Sequence, residues 1–153
     1  MSVGRICTRC VGLADAEEAV QTAAKRMHEY QVGTLVIVDS DKRPVGIVTD
    51  RDLVIRVLGP GMDPHQTRVD QVMTRDPQTV TEKTPIEQAL SLMRSGAFRR
   101  LPVVGHDGTL VGLVSLDDIL GLLAEEFSGI GALLEDEAPF TTKATRFRGN
   151  STT

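Results

Sequence analysis

The sequence predicts a mixed α/β (α+β) fold in which two related β-α-β-β-α repeats pack about a pseudo-twofold axis. Two observations predict this fold. Residues 5–57 align without a gap with residues 71–123, and both copies contain one amphipathic helical segment followed by two apolar strand-like segments and a second helix. A unit of roughly 55 residues is marginal as an independent fold. We therefore expect the two copies to stabilise each other by packing together.

The chain divides into four parts by this alignment. Repeat one covers residues 5–58 and repeat two covers residues 69–127, with a linker at residues 59–68 that is rich in Gly and Pro. Residues 128–153 form a C-terminal extension. Its tail, from about Glu135, has few apolar residues, and we expect it to be mobile or to be ordered only by a partner.

The elements of each repeat follow from capping signals and apolar patterns. In repeat one, Asp15 with Glu18 three residues later predicts a helix start that resembles a capping box. In repeat two, Thr84 is the predicted cap, Pro85 the first helical residue and Gly96 the stop. The predicted strands are 35–38, 45–48, 101–104 and 110–114, and the second helices are expected to start near Thr49 and Ser115.

Composition argues against several classes of function. The formal net charge is -4 and aromatic residues make up 3 % of the chain, which disfavours nucleic-acid binding. No stretch approaches the roughly 20 apolar residues that cross a bilayer, and the N-terminus lacks the apolar core of a signal peptide. We expect a cytoplasmic protein without membrane or nucleic-acid partners.

Both predicted strand-to-helix corners carry a hydroxyl residue followed three positions later by an aspartate. These pairs are Thr49 with Asp52 and Ser115 with Asp118. A hydroxyl beside the unpaired amides of a helix start suits a phosphate, and a carboxylate accepts protons from ribose hydroxyls. The same pattern is also an ordinary helix cap with an acidic first turn. Both interpretations stay open at this point.

The two corners and their flanking strands resemble the signature of CBS domains, Gly-apolar-x-apolar-Thr/Ser-x-x-Asp. The resemblance rests on residues 46–52 and 112–118, with support from residues 72–77 and from Leu101-Pro102-Val103-Val104. It covers about residues 5–127. It implies a stand-alone tandem CBS pair that binds an adenosyl compound between the repeats, acts as a regulatory sensor and often dimerises.

The resemblance also implies a phosphate contact from basic residues just before the third long strand. Arg99 and Arg100 occupy those positions in repeat two, whereas repeat one has Val32-Gly33-Thr34. Arginine suits phosphate because its guanidinium donates in bidentate geometry. We therefore expect the site of repeat one to bind weakly, to take a less charged adenosyl group, or to stay empty, unless Arg51, inside its corner motif, compensates for the missing pair.

Cys7 and Cys10 form a Cys-x-x-Cys pair. Two thiolates supply half of a tetrahedral zinc site, which a dimer could complete, and redox pairing is a second option. The alignment instead sets Cys7 opposite Met73, which indicates a packing role. We predict no metal site, with Cys7 and Cys10 as the only alternative ligands.

The second helices carry more apolar residues than a small protein buries, so we predict homodimerisation through them. No catalytic constellation is visible, so we predict no enzymatic activity and no obligatory cofactor. The predicted function is a regulatory sensor that binds an adenine nucleotide (AMP, ADP or ATP). The alternatives are a ligand-independent module that docks a target enzyme or transporter, and a sensor of S-adenosylmethionine.

Overall fold

The computed structural model describes residues 1–136. Residues 1–120 form one compact unit that contains most of both repeats. A second unit begins at Gly121, and its described part is the remainder of the last helix. The predicted mobile tail falls almost entirely outside the described residues. Among those residues, no helix combines the length and the apolarity that a bilayer crossing requires.

Each repeat contains the predicted order of a helix, two strands and a second helix. The helices are α1 (Val20–Tyr30), α2 (Asp50–Leu53, continued by a π-helical turn over Val54–Leu58), α3 (Val69–Val72), α4 (Ile86–Gly96) and α5 (Leu116–Asp136), and a short 3-10 turn covers Val3–Arg5. The strands are β1 (Thr34–Val38), β2 (Pro44–Thr49), β3 (Thr74–Arg75), β4 (Val80–Thr81), β5 (Arg100–Val104) and β6 (Leu110–Ser115).

The strands form two three-stranded sheets, and the repeats exchange strands between them. In the first sheet β2 lies between β1 and β3, and in the second β5 lies between β4 and β6. Strand β3 comes from the start of repeat two but pairs with β2 of repeat one. In the same way, Thr8 at the start of repeat one pairs with Leu113 of repeat two. Each repeat therefore completes the sheet of the other.

The segments that precede these exchanged strands are also bonded across the repeats. Two backbone hydrogen bonds join the N-terminal turn to repeat two. Two equivalent bonds join α3 to repeat one, at the positions that the repeat alignment matches. The first two are Val3 N–H to Thr84 O (2.9 Å) and Gly4 N–H to Glu82 O (2.9 Å), matched by Val69 N–H to Glu18 O (2.9 Å) and Asp70 N–H to Ala16 O (2.8 Å). This correspondence establishes the pseudo-twofold relation that the alignment predicts.

The hydrophobic core follows the predicted apolar stripes and draws on both repeats. The stripe of α1 buries Val20, Ala23 and Met27. These residues pack with apolar side chains from β1, from β2 and from the start of repeat two. The cluster contains Ala14, Val20, Ala23, Met27, Leu35, Ile37, Val48, Val57, Val69, Val72 and Met73.

The predicted start of the first helix is wrong. Helix α1 begins at Val20, five residues after Asp15. The carboxylate of Glu18 bonds only weakly to the backbone of Asp15 (3.3 Å) and forms an ion pair with Arg26. Residues 16–18 form a turn and a bend, and Ala19, which is extended, bridges to Arg68, so the helix begins only at Val20.

The predicted cap of α4 is displaced by one residue. Pro85 is the extended N-cap, and the hydroxyl of Thr84 accepts a bond from the backbone N–H of Thr81 instead of capping the helix. The stop at Gly96 is displaced as well. Gly96 is the last helical residue, and the left-handed residue that ends the helix is Ala97, with φ 54°.

We expect Ala97→Gly to stabilise the fold by ~0.5–1 kcal/mol. A left-handed backbone costs an alanine ~1–2 kcal/mol, and the entropy that glycine loses on folding offsets part of the gain. Ser95→Gly, at an exposed helical position of the same helix, is the control and is expected to destabilise by ~0.5 kcal/mol. Urea unfolding of the three proteins measures both changes. A loss of stability in Ala97→Gly would contradict the strain assigned to Ala97.

Candidate functional site

A cavity of about 880 Å³ opens between the two repeats within the first unit. Its walls come from the end of β2 and the helical turns that follow, from the segment around β3, and from the end of α4 with the start of β5. We call this cavity the arginine cleft. Its lining residues are Ile47, Thr49–Asp52 and Arg56 of repeat one, and Thr74–Gln78 and Gly96–Leu101 of repeat two.

One wall of the arginine cleft is the predicted corner of repeat one. Thr49 is the extended N-cap of α2, and Asp52 completes a reciprocal capping box. The backbone N–H of Thr49 donates to Asp52 Oδ2 (2.9 Å), and the backbone N–H of Asp52 donates to Thr49 Oγ1 (3.2 Å). In this structure Thr49 and Asp52 therefore form the helix cap that the sequence pattern allows.

The corner does not offer the free amides that the sequence suggested for a phosphate. The N–H of Asp50 donates to the backbone oxygen of Gly33 (3.0 Å), and that of Arg51 donates to Asp50 Oδ1 (2.8 Å). Since Asp52 N–H is bonded to Thr49, the first three amides of α2 all have partners. The start of α2 therefore offers an anion no free amide among its first three residues.

The capping box leaves one acceptor of Asp52 available. Asp52 Oδ2 is used by the cap, while Oδ1 lies 3.7 Å from Arg56 Nε. Arg56 is itself anchored, because its Nη1 donates to the backbone oxygen of Val72 (2.6 Å). A carboxylate oxygen accepts from more than one donor. Capping and binding of a ligand hydroxyl are therefore compatible at Asp52.

Arginines dominate the electrostatics of the cleft. Five of them line it, against three aspartates, so the lining carries an excess of positive charge. The guanidinium of Arg75 donates to the backbone oxygen of Asp70 (2.9 Å). By contrast, those of Arg51, Arg99 and Arg100 make no hydrogen bond or ion pair with any residue in the described range 1–136. The five arginines are Arg51, Arg56, Arg75, Arg99 and Arg100, and the aspartates are Asp50, Asp52 and Asp76.

The rim of the cleft contains unusual backbone and a closely packed ring. Asp76 and Ala97 both have left-handed backbone, with φ 46° and 54°. The ring of Phe98 lies directly over Gly96 and occupies the space that a Cβ at this position would need. Strained backbone of this kind is concentrated at binding sites. Phe98 gives the cleft an apolar surface beside its charged walls.

The structure brings together four of the six predicted site residues. Thr49 and Asp52 of repeat one share the arginine cleft with Arg99 and Arg100 of repeat two. Ser115 and Asp118 are not among its lining residues. The sequence predicts that the two arginines serve the site of repeat two, and this stays a prediction: Arg100 pairs with Ser115 between β5 and β6, while both arginines also line the cleft beside the corner of repeat one.

Ser115 and Asp118 form the matching corner at the end of β6. Asp118 Oδ2 accepts from the backbone N–H (2.7 Å) and the hydroxyl (2.8 Å) of Ser115, and Asp118 N–H donates to Ser115 Oγ (3.1 Å). The N–H of Leu116 donates to the backbone oxygen of Arg99 (2.8 Å), just as Asp50 donates to Gly33. The two corners have equivalent backbones.

Two further arginines of the cleft, Arg56 and Arg75, are not among the residues considered from the sequence. Arg56 follows Asp52 by four residues, which is a recognisable helical ion-pair spacing. Arg75 sits in β3, a two-residue strand that no periodicity reveals. Arg51 lies inside the corner motif of repeat one, and the structure places it in the same cleft as Arg99 and Arg100.

Cys7 packs beside Gly112, whereas Cys10 is exposed. A Cβ built at Gly112 would lie 3.1 Å from Cys7 Sγ, just as one at Gly46 would meet Met73. Burial raises the pKa of the Cys7 thiol, so it is protonated at neutral pH. Within residues 1–136, no three His, Cys, Asp or Glu side chains are grouped so that they could hold a metal ion.

Comparison with known families identifies the class of protein. The CBS domain model matches residues 3–59 and 69–125. Together these matches cover well over half of the chain, and they agree with the duplicated fold and the two matching corners. The chain belongs to the CBS domain family, as a tandem pair.

Known relatives and structures support the same assignment. An uncharacterized protein of Methanopyrus kandleri, MK0525, is 37 % identical over 120 residues, which is 78 % of this chain and 61 % of that protein. The chain thus spans less than two thirds of that relative's length.

Two similar solved structures contain ligands. The CBS domain protein PAE2072 of Pyrobaculum aerophilum, complexed with AMP, has a TM-score of 0.71 at 26 % identity, covering 77 % of this chain and 89 % of that one. The CBS domain pair of protein MJ0100, in complex with 5′-methylthioadenosine and S-adenosyl-L-methionine, has a TM-score of 0.74 at 25 % identity, covering 82 % of this chain and 98 % of that one.

Proposed function

We propose that this chain is a regulatory module that binds an adenine nucleotide, AMP, ADP or ATP, in the arginine cleft. The observation that carries the proposal is that unpartnered guanidiniums line the same cavity as a carboxylate oxygen, Asp52 Oδ1, that accepts no hydrogen bond within residues 1–136. Arg51, Arg99 and Arg100 supply donors for phosphate, and Asp52 Oδ1 supplies an acceptor for ribose hydroxyls. The AMP and adenosyl ligands of the two solved relatives support the same ligand class.

A nucleotide in this cleft would contact both repeats. Thr49, Arg51 and Asp52 belong to repeat one, while Arg99, Arg100 and Phe98 belong to repeat two. A ligand shifts an equilibrium between conformations only as far as it prefers one of them. Contacts with both repeats provide that preference, because they favour the conformation in which both walls of the cleft can contact the ligand at the same time. This is the physical basis for a regulatory rather than a catalytic role.

Positive charge favours a nucleotide over S-adenosylmethionine. The sulfonium of that compound is cationic, and the cleft lining has an excess of arginines over aspartates. Like charges at short range destabilise a complex. We therefore rank a phosphate-bearing adenylate above S-adenosylmethionine for this cleft.

A thermal-shift panel with AMP, ADP, ATP, S-adenosylmethionine and NADH tests the proposal. A ligand present at 100 times its Kd stabilises the fold by ~2.7 kcal/mol, which raises the Tm of a protein of this size by roughly 5–10 °C. We expect that shift with at least one of AMP, ADP and ATP, and its loss in Asp52→Asn. An asparagine keeps the oxygen that caps α2 but presents an amide donor in place of Oδ1. No shift with any member of the panel would refute the proposal.

Exposed apolar residues favour a second role as an interaction module. In the first unit, Val54, Ile55 and Leu58 are more than half exposed. In the described part of the second unit, exposed apolar residues are Leu123, Phe127, Ile130, Leu133 and Leu134. Homodimerisation through these helices, and docking to a target enzyme or transporter, remain predictions. If the chain binds no adenylate, the interaction role is the one that remains.

A further inference from the structure

Helix α5 continues beyond the residues that the CBS domain model accounts for. The second match to that model ends at residue 125, whereas the helix runs to Asp136. Gly121 begins the second unit of the structure, whose described residues are 121–136. The end of this helix is therefore a property of this chain and is not given by its family.

The apolar residues of α5 follow the spacing of a coiled coil. Along the helix they succeed one another at alternating intervals of four and three residues, which is the a/d pattern of a heptad repeat. The positions with this spacing are Leu116, Leu120, Leu123, Phe127, Ile130 and Leu134. Residues at such positions form one apolar line along a helix. We call the part of this line in the second unit, Leu123, Phe127, Ile130 and Leu134, the α5 seam.

The α5 seam is exposed along its whole length. Phe127 is 70 % exposed and Leu134 is 65 % exposed, and the other two seam residues are exposed as well. Apolar residues scattered singly over a protein surface are ordinary, whereas a contiguous line of large ones marks an interaction surface. The heptad spacing indicates that the surface which covers this line is another helix.

Residues 121–136 are poorly suited to remain helical without a partner. Gly121, Gly129 and Gly131 lie inside the segment, and glycine is among the poorest helix formers. A Cβ at any of the three would meet no atom within 4 Å, so no close packing in the described structure requires a glycine there. Glu135 and Asp136 add negative charge at the C-terminal end, where the helix dipole disfavours it. The segment therefore depends on packing along its apolar side.

The spacing of the seam residues matches a second copy of the same helix in the antiparallel direction. A twofold axis that sets Phe127 of one copy beside Ile130 of the other also sets Leu123 beside Leu134, so every seam residue meets an apolar residue. Such a pair closes on itself, because both copies use the same surface. It buries roughly 1,000 Å² over the two copies, which is the lower limit for a specific interface.

The charges of α5 favour the antiparallel direction over the parallel one. All charged residues of the helix are carboxylates. In a parallel pair each carboxylate lies level with the same carboxylate of the second copy, and like charges at short range repel. In the antiparallel pair each carboxylate of the second unit lies level with an uncharged residue. The levels that coincide are Glu125 with Ala132, Glu126 with Gly131, Glu135 with Leu122, and Asp136 with Gly121.

We propose that residues 121–136 of two copies of this chain form an antiparallel coiled-coil pair through the α5 seam. This inference rests on the interaction role proposed above, for which it names the partner and the residues. It does not depend on the nucleotide site, because no residue of the seam lines the arginine cleft.

Light scattering on the full chain, from micromolar to millimolar concentration, tests the pairing. We expect a dimer whose Kd rises about a hundredfold or more in Phe127→Asp, since the substituted side chain occurs twice in the interface. Ser128→Asp is the matched control. It adds the same charge to the next residue of α5, which is exposed and lies outside the seam, and we expect the dimer to persist. A wild-type monomer at every concentration would overturn the proposal, as would equal effects of the two variants.

Disulfide trapping tests the direction of the pair. In a Cys7→Ala/Cys10→Ser background, oxidation is expected to link two chains that carry both Leu123→Cys and Leu134→Cys, and not two chains that carry Leu134→Cys alone. Linkage through Leu134→Cys alone would overturn the antiparallel order. Titration with AMP separates the two proposals, since a monomer that binds AMP overturns only the coiled-coil pair. A dimer that binds none of AMP, ADP and ATP overturns only the nucleotide site.

Discussion

Replacing both Arg99 and Arg100 by alanine is expected to lower the affinity for AMP by at least about two orders of magnitude, while the affinity of the arginine cleft for adenosine stays within about twofold. A hydrogen bond to a charged group contributes ~1.5–3 kcal/mol, and every 1.4 kcal/mol is about tenfold in Kd. Two arginines that bond the same phosphate therefore account for a factor of about a hundred or more. Titration calorimetry with AMP and with adenosine measures the loss of affinity for each ligand.

The stability of the ligand-free protein should change little in this double variant. Neither guanidinium has a hydrogen-bond or ion-pair partner in the described chain, so the alanines break no native polar contact. Arg94→Ala is the matched control, because Arg94 is an exposed arginine on α4 outside the arginine cleft. An equal loss of AMP and adenosine affinity in the double variant would contradict a phosphate role. So would the same loss in Arg94→Ala.

Val3→Asp is expected to reduce the free energy of unfolding by at least ~3 kcal/mol. Val3 is fully buried, although it lies only two residues from the start of the chain. Its backbone N–H donates to Thr84 O (2.9 Å), which fixes the N-terminal turn against repeat two. A carboxylate at this position would be buried without a partner, and such a change ranks among the most destabilising single substitutions. Urea unfolding measures the loss.

Arg5→Asp provides the control for this prediction. Arg5 belongs to the same short turn but is exposed, and within residues 1–136 its guanidinium hydrogen-bonds only to the sulfur of Met1. A surface substitution of this kind changes stability by ~0.5 kcal/mol or less. If Val3→Asp cost no more than Arg5→Asp, the N-terminal segment would not be packed against repeat two, and the exchange between the repeats would be disproved at that point.

The parts of the fold that could be predicted are those whose signals lie within one repeat. The four long strands are apolar runs bounded by turn residues, and their cores match β1, β2, β5 and β6. The corners at Thr49 and Ser115 were predictable because the capping pattern is local. The start of α1 was not, since the pairing of Ala19 with Arg68 joins residues far apart in the sequence. Strand β3 could not be predicted for the same reason, because it pairs with β2 of the other repeat.

The types of residue in the candidate site could be predicted from the sequence, but which of them lie together could not. The aspartates of the corners and the arginine pair were identified from residue type and from resemblance to the family. That Arg99 and Arg100 line one cleft with the corner of repeat one depends on how the two repeats pack, and this packing leaves no pattern in the sequence. The loss of free amides at α2 also depended on a distant contact, because Asp50 N–H donates to Gly33 O.

A crystal structure of the protein with AMP tests the central claim most directly. We predict that the phosphate oxygens lie within ~3.2 Å of guanidinium nitrogens of Arg99 and Arg100, and that a ribose hydroxyl donates to Asp52 Oδ1 at a similar distance. A complex in which AMP lies elsewhere, or crystals soaked in AMP whose arginine cleft contains only water, would contradict the account.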